Sequence, residues 1–117
     1  MSRQLQKITH SKIPEIREKL LESQGGICPI CKKQVDSPSL DHKHAYKTKE
    51  NTDIDGLVRK TLCRGCNRLV GLVETGHTRC KISYEELPEV LRNIADFLEN
   101  QPYTDIVHPK ENKKIFK

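Results

Sequence analysis

Two cysteine pairs of identical spacing flank a short run of acidic and imidazole side chains. The pairs are Cys28-Pro-Ile-Cys31 and Cys63-Arg-Gly-Cys66, and the run is Leu-Asp-His-Lys-His at residues 40–44. Each C-x-x-C turn presents two thiolates, and two such turns complete the tetrahedron that Zn²⁺ prefers. Because four thiolates fill every position, the predicted zinc is structural, and its loss should unfold the chain. Its predicted ligands are Cys28, Cys31, Cys63 and Cys66.

Two redox dithiols, or simply buried cysteines, are the alternatives to zinc at these positions. Cys80 stands alone and is interpreted as a small, partly buried apolar residue. Zinc ribbons usually separate their cysteine pairs by about 15–20 residues. Here residues 32–62 lie between the pairs. This longer segment holds the Asp-His-Lys-His run, a polar loop and a candidate strand.

Asp41 and Asn67 carry oxygen ligands of the kind that Mg²⁺ or Mn²⁺ prefers. If His42 is not a metal ligand, it can act as a general base on water in phosphodiester hydrolysis. The ion then stabilises the phosphorane and the leaving oxygen. On a regular strand His42 and His44 point one way, and Asp41 and Lys43 the other. A shared site therefore requires the strand to end or twist after Asp41. A solvated Asp-His pair and a hydrogen-bonding or capping role for Asn67 remain alternatives.

The elements that must position these residues alternate between helix and strand. Apolar spacing predicts a helix over residues 12–24, which Gly25-Gly26 ends by supplying positive φ. Short strands are predicted at 33–35, 39–42 and 57–62, with a loop over 45–56.

A second helix is predicted from Arg64, with Leu69, Val70 and Val73 as its buried side, and residues 74–80 are predicted to form a loop. A third helix is predicted from Leu87, with Pro88 in its first turn and an apolar stripe. The stripe comprises Val90, Leu91, Ile94, Phe97 and Leu98. Residues 101–117 are interpreted as a tail.

Composition indicates one small basic domain whose core needs additional stabilisation. The chain has 117 residues, 34% hydrophobic residues, no tryptophan, a net charge of +5 and a pI near 9.0. The modest apolar content favours stabilisation by a bound metal or by oligomerisation, and the positive charge favours a polyanion such as DNA as the binding partner. We find no signal peptide or membrane span, so a cytoplasmic location is expected, where paired cysteines favour metal over disulfides.

The ordered motifs resemble the phage recombination endonuclease VII family, which belongs to the His-Me finger (ββα-metal, HNH-type) nucleases. The likeness rests on C-P-I-C, L-D-H-K-H and G-L-V-R-K-T-L-C-R-G-C-N-R-L-V-G, and it covers residues 28–72 well. The segment at 88–100 and the Y-T-D-I-V-H-P that follows it show a weaker similarity to the same family. Residues 1–12 and 110–117 match nothing that we can name.

The resemblance implies a role for each matching residue. The four cysteines would hold structural zinc, and Asp41 and Asn67 would bind catalytic Mg²⁺. His42 would be the base, and His44 would contact the scissile phosphate or stabilise charge. The family resolves Holliday junctions and other branched DNA by paired nicks as an intertwined dimer, so a phage protein acting in its bacterial host is implied.

Two departures from the family pattern stand out. Some members carry an acidic residue three positions after the asparagine, and this chain has Val70 there, with Glu74 one turn further as a possible substitute. The residue between the histidines can be acidic in the family and is Lys43 here, which could meet a phosphate. The chain is also shorter than the best-known member, which weakens the expectation of junction specificity more than that of cleavage.

Basic residues near the candidate site predict phosphate contacts, although an ordinary solvated face is the alternative. The predicted DNA-binding residues are Lys43, Arg59, Lys60, Arg64 and Arg68.

The resulting prediction is an α+β protein with a zinc-stabilised ββα-metal core. Its predicted parts are a flexible N-terminus (1–11), a nuclease core (12–82) and a C-terminal helix and tail (83–117) that serves in a homodimer. The leading function is a Mg²⁺-dependent endonuclease acting on branched DNA. An HNH-type nuclease acting on linear duplex and a non-catalytic zinc-ribbon DNA-binding protein are the alternatives.

Overall fold

A computed structural model describes residues 4–45, 52–100 and 103–116. Within these ranges the protein has a two-stranded antiparallel sheet and four α-helices, which confirms the predicted α+β class. The chain divides into two compact units, Met1–Gly76 and His77–Lys117, and each is described by itself. The domain boundaries predicted from the sequence stay predictions. Every helix in the described part is too short or too polar to cross a bilayer.

Helix α1 spans Ile13–Ser23, close to its predicted bounds. Pro14 lies in the first turn, where a missing amide hydrogen costs no helical hydrogen bond. At the other end Gly25 adopts a φ of 65°, and the Gly26 amide donates to the Leu21 carbonyl at 2.9 Å. This is the Schellman ending that glycine favours, so the predicted glycine stop is confirmed.

The sheet pairs β1 (Pro38–His42) with β2 (Val58–Cys63). Cross-strand partners are Pro38 with Cys63, Ser39 with Leu62, Leu40 with Thr61, and His42 with Val58. Both strands lie within a residue or so of the predicted positions. The strand predicted at 33–35 is wrong, since that segment makes only an isolated bridge between Ile27 and Gln34. Part of the predicted 45–56 loop lies outside the described residues, and 53–56 form turns.

Helix α2 spans Arg64–Arg79, so the loop predicted at 74–80 is wrong. The helix contains three glycines and ends in a Schellman motif, in which the Ile82 amide donates to the His77 carbonyl at 3.0 Å. Lys81 takes the left-handed position of that motif, with a φ of 58°. Because this position is usually a glycine, the true end of the helix carries no sequence signal.

The core of the first unit is built around its cysteines. Cys28, Leu62 and Cys63 are buried, and Cys31, Val35, Cys66 and Val70 pack against them. The predicted burial of Val70 is confirmed, but Leu69 is 58% exposed, so its predicted place in the core is wrong. Helix α2 thus buries a narrow face, because the neighbouring core is small.

The second unit contains α3 (Leu87–Asn100), which begins where the sequence predicts. The Ser83 hydroxyl accepts a hydrogen bond from the Glu86 amide at 3.2 Å in the turn before it. The predicted apolar stripe is largely exposed, from 38% at Leu91 to 65% at Leu98. A 3-10 turn at Pro109–Glu111 and a short α4 at Asn112–Ile115 form within the predicted tail.

Candidate metal centre and active site

The four paired cysteines converge in space. All four sulfurs lie within 4.8 Å of one another, and the sulfurs of Cys31 and Cys63 are 3.7 Å apart. Sulfurs placed about 2.3 Å from one ion at tetrahedral corners are separated by about 3.8 Å. The donor set and its spacing therefore fit a Zn²⁺ ion, as the sequence predicts.

Local structure explains how residues so far apart in sequence meet. Cys28 follows the glycine turn of α1, Cys63 is the last residue of β2, and Cys66 lies in the first turn of α2. The Asp36 amide donates to the Cys63 sulfur at 3.3 Å. Such outer-shell hydrogen bonds orient metal-binding thiolates. The four-cysteine cluster consequently joins the end of the first helix to the sheet and the second helix.

The thiols have opposing protonation preferences. Burial opposes ionisation of Cys28, but hydrogen bonds from the backbone amides of Cys31, Cys63 and Ile30 outweigh it and lower the pKa of Cys28 to about 6. Burial, together with the neighbouring thiols, raises the pKa of Cys66 to about 12. Four thiolates cannot accumulate in one small volume without a cation, and a bound Zn²⁺ supplies that charge.

A β-bulge lies where the sequence predicts the catalytic residues. Between Leu40 and His42 the register shifts, so Asp41 alone on β1 faces both Arg59 and Lys60 on β2. In an unbroken ladder Arg59 would oppose His42 and share its face of the sheet. The extra residue instead brings the Arg59 side chain to the Asp41 side, and bulges commonly redirect side chains near active sites.

Asp41 is 6% exposed and binds Arg59 at two points. The Arg59 Nε donates to Asp41 Oδ2 at 2.6 Å, and Nη2 donates to Oδ1 at 3.0 Å. The same guanidinium donates to both carboxylate oxygens of Glu74, at 2.9 and 2.8 Å. Glu74 holds the pKa of Arg59 above its usual range, against the effect of partial burial and with further help from Asp41. Arg59 is therefore always charged.

His42 and His44 occupy the opposite, solvent-exposed face. Their ring centroids are 4.6 Å apart, while Asp41 and Lys43 are buried, as predicted for a strand. Lys43 is 7% exposed and forms an ion pair with Asp55. The structure thus brings the two histidines together and gives Lys43 an internal partner; its predicted phosphate contact stays a prediction.

Asn67 is connected to the strand that carries Asp41. Its side-chain amide nitrogen donates to the Ser39 hydroxyl at 2.9 Å, two residues before Asp41. Because the nitrogen is used in this way, the carbonyl oxygen of the same amide is the atom that can serve a metal. Carboxylate and amide oxygens are the donor chemistry that Mg²⁺ accepts, so the residue types present fit that ion.

The remaining predicted DNA contacts lie on the surface. Lys60, Arg64 and Arg68 are exposed, and within the described parts of the chain they form no ion pair, in contrast to Arg59. Unpaired surface cations near a candidate site are free to meet phosphates.

Comparison with known protein families assigns the chain to a family. The family model described as recombination endonuclease VII matches residues 3–100. The chain belongs to this family. Members are endonucleases, so the protein is placed among enzymes that hydrolyse phosphodiester bonds in nucleic acids. A search of curated proteins finds no match.

For this endonuclease VII family member, sequence reasoning missed three residues around the site. The sequence places Asp55 in a loop, Gln24 at the end of a helix and Ser39 in a strand, without indicating a side-chain partner for any of them. The sequence offers Glu74 as a substitute for the acid missing at Val70, and in the structure its carboxylate accepts hydrogen bonds from Arg59. None of these partnerships has a spacing rule that could reveal it, because the partners meet only in the folded chain.

Proposed function

We propose that the protein is a metal-dependent endonuclease that cuts branched DNA, resolving four-way junctions by paired nicks. The observation that carries the proposal is the family match, which spans residues 3–100 and so includes Asp41, His42, His44 and Asn67. Family membership supports cleavage. The substrate geometry and the metal requirement are the parts that need testing.

The proposed metal ligands are Asp41 and Asn67, holding Mg²⁺ or Mn²⁺. When bound, such an ion supplies positive charge to the phosphate and the leaving oxygen. The chain itself supplies the burial that keeps the Asp41 carboxylate in place and the hydrogen bond that orients Asn67 through Ser39.

The proposed base is His42, which is exposed and so can reach both water and a DNA strand. It would accept the proton of the attacking water at an imidazole nitrogen, as histidine general bases do. His44, on the same face, is proposed to contact the scissile phosphate. Both rings are carried by one short segment, with their centroids 4.6 Å apart.

DNA is proposed to lie across the exposed cations near this face. Lys60 extends from β2, and Arg64 and Arg68 are one turn apart on α2. Phosphate contacts of this kind position the duplex without reading its sequence, which suits an enzyme selective for the shape of DNA. Lys43 and Arg59 are engaged by carboxylates, so the cations proposed to hold the DNA are Lys60, Arg64 and Arg68.

A homodimer is proposed because paired nicks need two sites, and a C2 dimer supplies them most simply. The exposed apolar stripe of α3, from Leu91 to Leu98, supports this assembly. Light scattering on the wild-type protein should give twice the chain mass. Ile94→Glu, which charges the middle of the stripe, should give the mass of one chain, and Glu89→Lys on the polar face of the same helix should not.

The test of function uses a labelled four-way junction, a forked duplex and a linear duplex of matched sequence. With Mg²⁺, the wild-type protein should nick the junction in preference to the linear duplex. Asp41→Ala, Asn67→Asp and His42→Ala should each abolish nicking while retaining zinc. The control variants Asp105→Ala and His10→Ala change exposed residues of the same types and should cut normally.

Three other results would redirect the proposal. Equal or better cutting of the linear duplex would favour an HNH-type enzyme for linear DNA. Undiminished cutting by Asp41→Ala would reject the proposed site. Tight binding with no nicking in Mg²⁺ or Mn²⁺ would leave a zinc-held DNA-binding module.

A further inference from the structure

We propose that Arg59 is a positioning residue for Asp41, with Glu74 as its anchor, rather than a contact for DNA phosphate. The inference rests on the proposed function, since it concerns the carboxylate assigned to the metal. The proposal gives Arg59 a role other than the predicted phosphate contact. It gives Glu74 a role other than substitute for the acid that some family members carry at the position of Val70.

The guanidinium fixes the plane of the Asp41 carboxylate. Two parallel N–H donors, Nε and Nη2, engage the two Asp41 oxygens at 2.6 and 3.0 Å. Such a fork-to-fork arrangement restrains rotation of the carboxylate, which a single hydrogen bond does not. Nη2 also donates to the His42 carbonyl at 3.2 Å, so Arg59 holds the backbone of the proposed base as well.

Glu74 holds the opposite edge of the guanidinium. Its oxygens accept from Nη1 at 2.9 Å and from Nη2 at 2.8 Å, and its side chain is only 13% exposed. Glu74 lies on α2, seven residues after Asn67, so the two are nearly two helical turns apart on one side. The Asp41–Arg59–Glu74 chain thereby connects the sheet to the helix that carries Asn67.

These contacts leave Arg59 poorly placed to bind DNA. All three guanidinium nitrogens already donate within the protein, and the side chain is 33% exposed. A phosphate would have to compete with two carboxylates that flank the same group. Lys60, exposed next to it, forms no ion pair with any residue that the structure describes.

Outer-shell partners of a metal ligand typically change metal affinity or activity about 10–100-fold when removed. Arg59→Lys keeps the positive charge but loses the planar fork, so it isolates orientation from electrostatics. Glu74→Gln keeps the size of the anchor and loses one acceptor. We expect either change to weaken Mn²⁺ binding and to lower kcat with little change in KM for DNA.

The experiment measures Mn²⁺ binding to the zinc-loaded full chain by calorimetry or by electron paramagnetic resonance. It compares wild type, Asp41→Ala, Arg59→Lys and Glu74→Gln, with circular dichroism and zinc content reporting the fold. Expected losses are about 10-fold or more for Arg59→Lys and somewhat less for Glu74→Gln. Arg92→Lys and Glu89→Gln alter an exposed ion pair of the same types on α3 and serve as controls.

A double-mutant cycle tests whether Glu74 acts through Arg59. If it does, Glu74→Gln should change Mn²⁺ affinity much less in the Arg59→Lys background than in wild type. Additive losses would instead show that Glu74 acts independently of Arg59 and would overturn its role as anchor.

DNA binding provides the second readout. A positioning role leaves DNA affinity and its salt dependence unchanged in Arg59→Lys and in Arg59→Gln. Loss of a phosphate contact would weaken binding and reduce the salt slope by about one in Arg59→Gln. That result, with normal Mn²⁺ affinity, would overturn the inference while leaving the proposed function standing. If Asp41→Ala binds Mn²⁺ as wild type does, the metal assignment itself fails, and the inference falls with it.

Discussion

Lys43 and Asp55 form a buried ion pair directly behind the two exposed histidines. Their side chains are 8% and 1% exposed, and the Asp55 carboxylate also accepts from the Thr52 amide at 3.1 Å. The Lys43 amide donates to the Leu57 carbonyl at 3.0 Å. The pair therefore secures the strand residue that lies between His42 and His44.

Breaking this ion pair should destabilise the protein more than removing both partners. Lys43→Met leaves a buried carboxylate without its cation, whereas Lys43→Met with Asp55→Leu removes both charges. In thermal unfolding, wild type and the double variant should both have a higher Tm than the single variant. Lys43 lowers the pKa of Asp55, so this contribution is present above the ordinary carboxyl pKa and is lost as pH falls through the lowered value.

Zinc should be present at one ion per chain and should be required for folding. Structural zinc in small domains contributes about 10–16 kcal/mol near neutral pH, which exceeds the stability of most domains. Cys80 is exposed, so the partial burial predicted for it is wrong. Native mass spectrometry should find zinc in wild type and in the control variant Cys80→Ser. Cys66→Ser should lack it and lose its circular-dichroism signal. A folded, zinc-free Cys66→Ser would contradict this assignment.

Zinc affinity should fall as the solution is acidified. Thiol protons must leave before the sulfurs can bind, and the pKa of Cys66 is raised to about 12 by burial and its neighbours. Protons therefore compete with the metal throughout the acidic range. A chelator dye should extract zinc faster and more completely at mildly acidic than at neutral pH. Release that does not depend on pH would argue against thiolate ligands.

Gln24 acts as an additional backbone-like partner for β2. Its side chain accepts from the Thr61 amide and donates to the Thr61 carbonyl, both at 2.8 Å, and Thr61 is fully buried. Gln24→Leu should cost about 1–3 kcal/mol of unfolding free energy, because it leaves buried polar groups unpaired.

Urea unfolding of zinc-loaded protein would measure this cost. Thr61→Val, which removes the hydroxyl that donates to the Arg17 carbonyl at 2.7 Å, should also destabilise. Thr75→Val removes an exposed hydroxyl bond of similar length and is the matched control. Equal stability of the Thr61 and Thr75 variants would show that the buried bond contributes nothing.

DNA affinity should depend steeply on salt through the exposed cations. Replacing Arg64 or Arg68 with glutamine should weaken binding similarly for all sequences and reduce the salt slope by about one each. Fluorescence anisotropy with a labelled junction at several salt concentrations measures both quantities. Arg92→Gln, exposed on α3, is the control. If both variants keep the wild-type salt dependence of DNA affinity, DNA binds a different part of the protein surface.

The sequence by itself determined which four cysteines meet, the first and third helices and the two strands. Each of these depends on a local rule: thiolate spacing, glycine at a helix end, proline in a first turn, or apolar periodicity. The prediction that His42 and His44 share a face also follows from strand geometry alone. The end of α2 escaped prediction because Lys81, not glycine, takes the left-handed position.

Only the tertiary structure decided which charges are internal. In sequence, Lys43, Arg59 and Lys60 are three similar cations near one site, yet folding pairs the first with Asp55, the second with Asp41 and Glu74, and leaves the third exposed. The bulge and the loop that create these pairs bring together residues distant in the chain. Burial then makes pairing obligatory, because an unpaired charge removed from water is too costly to keep. That cost depends on three-dimensional neighbours, which spacing along the chain does not encode.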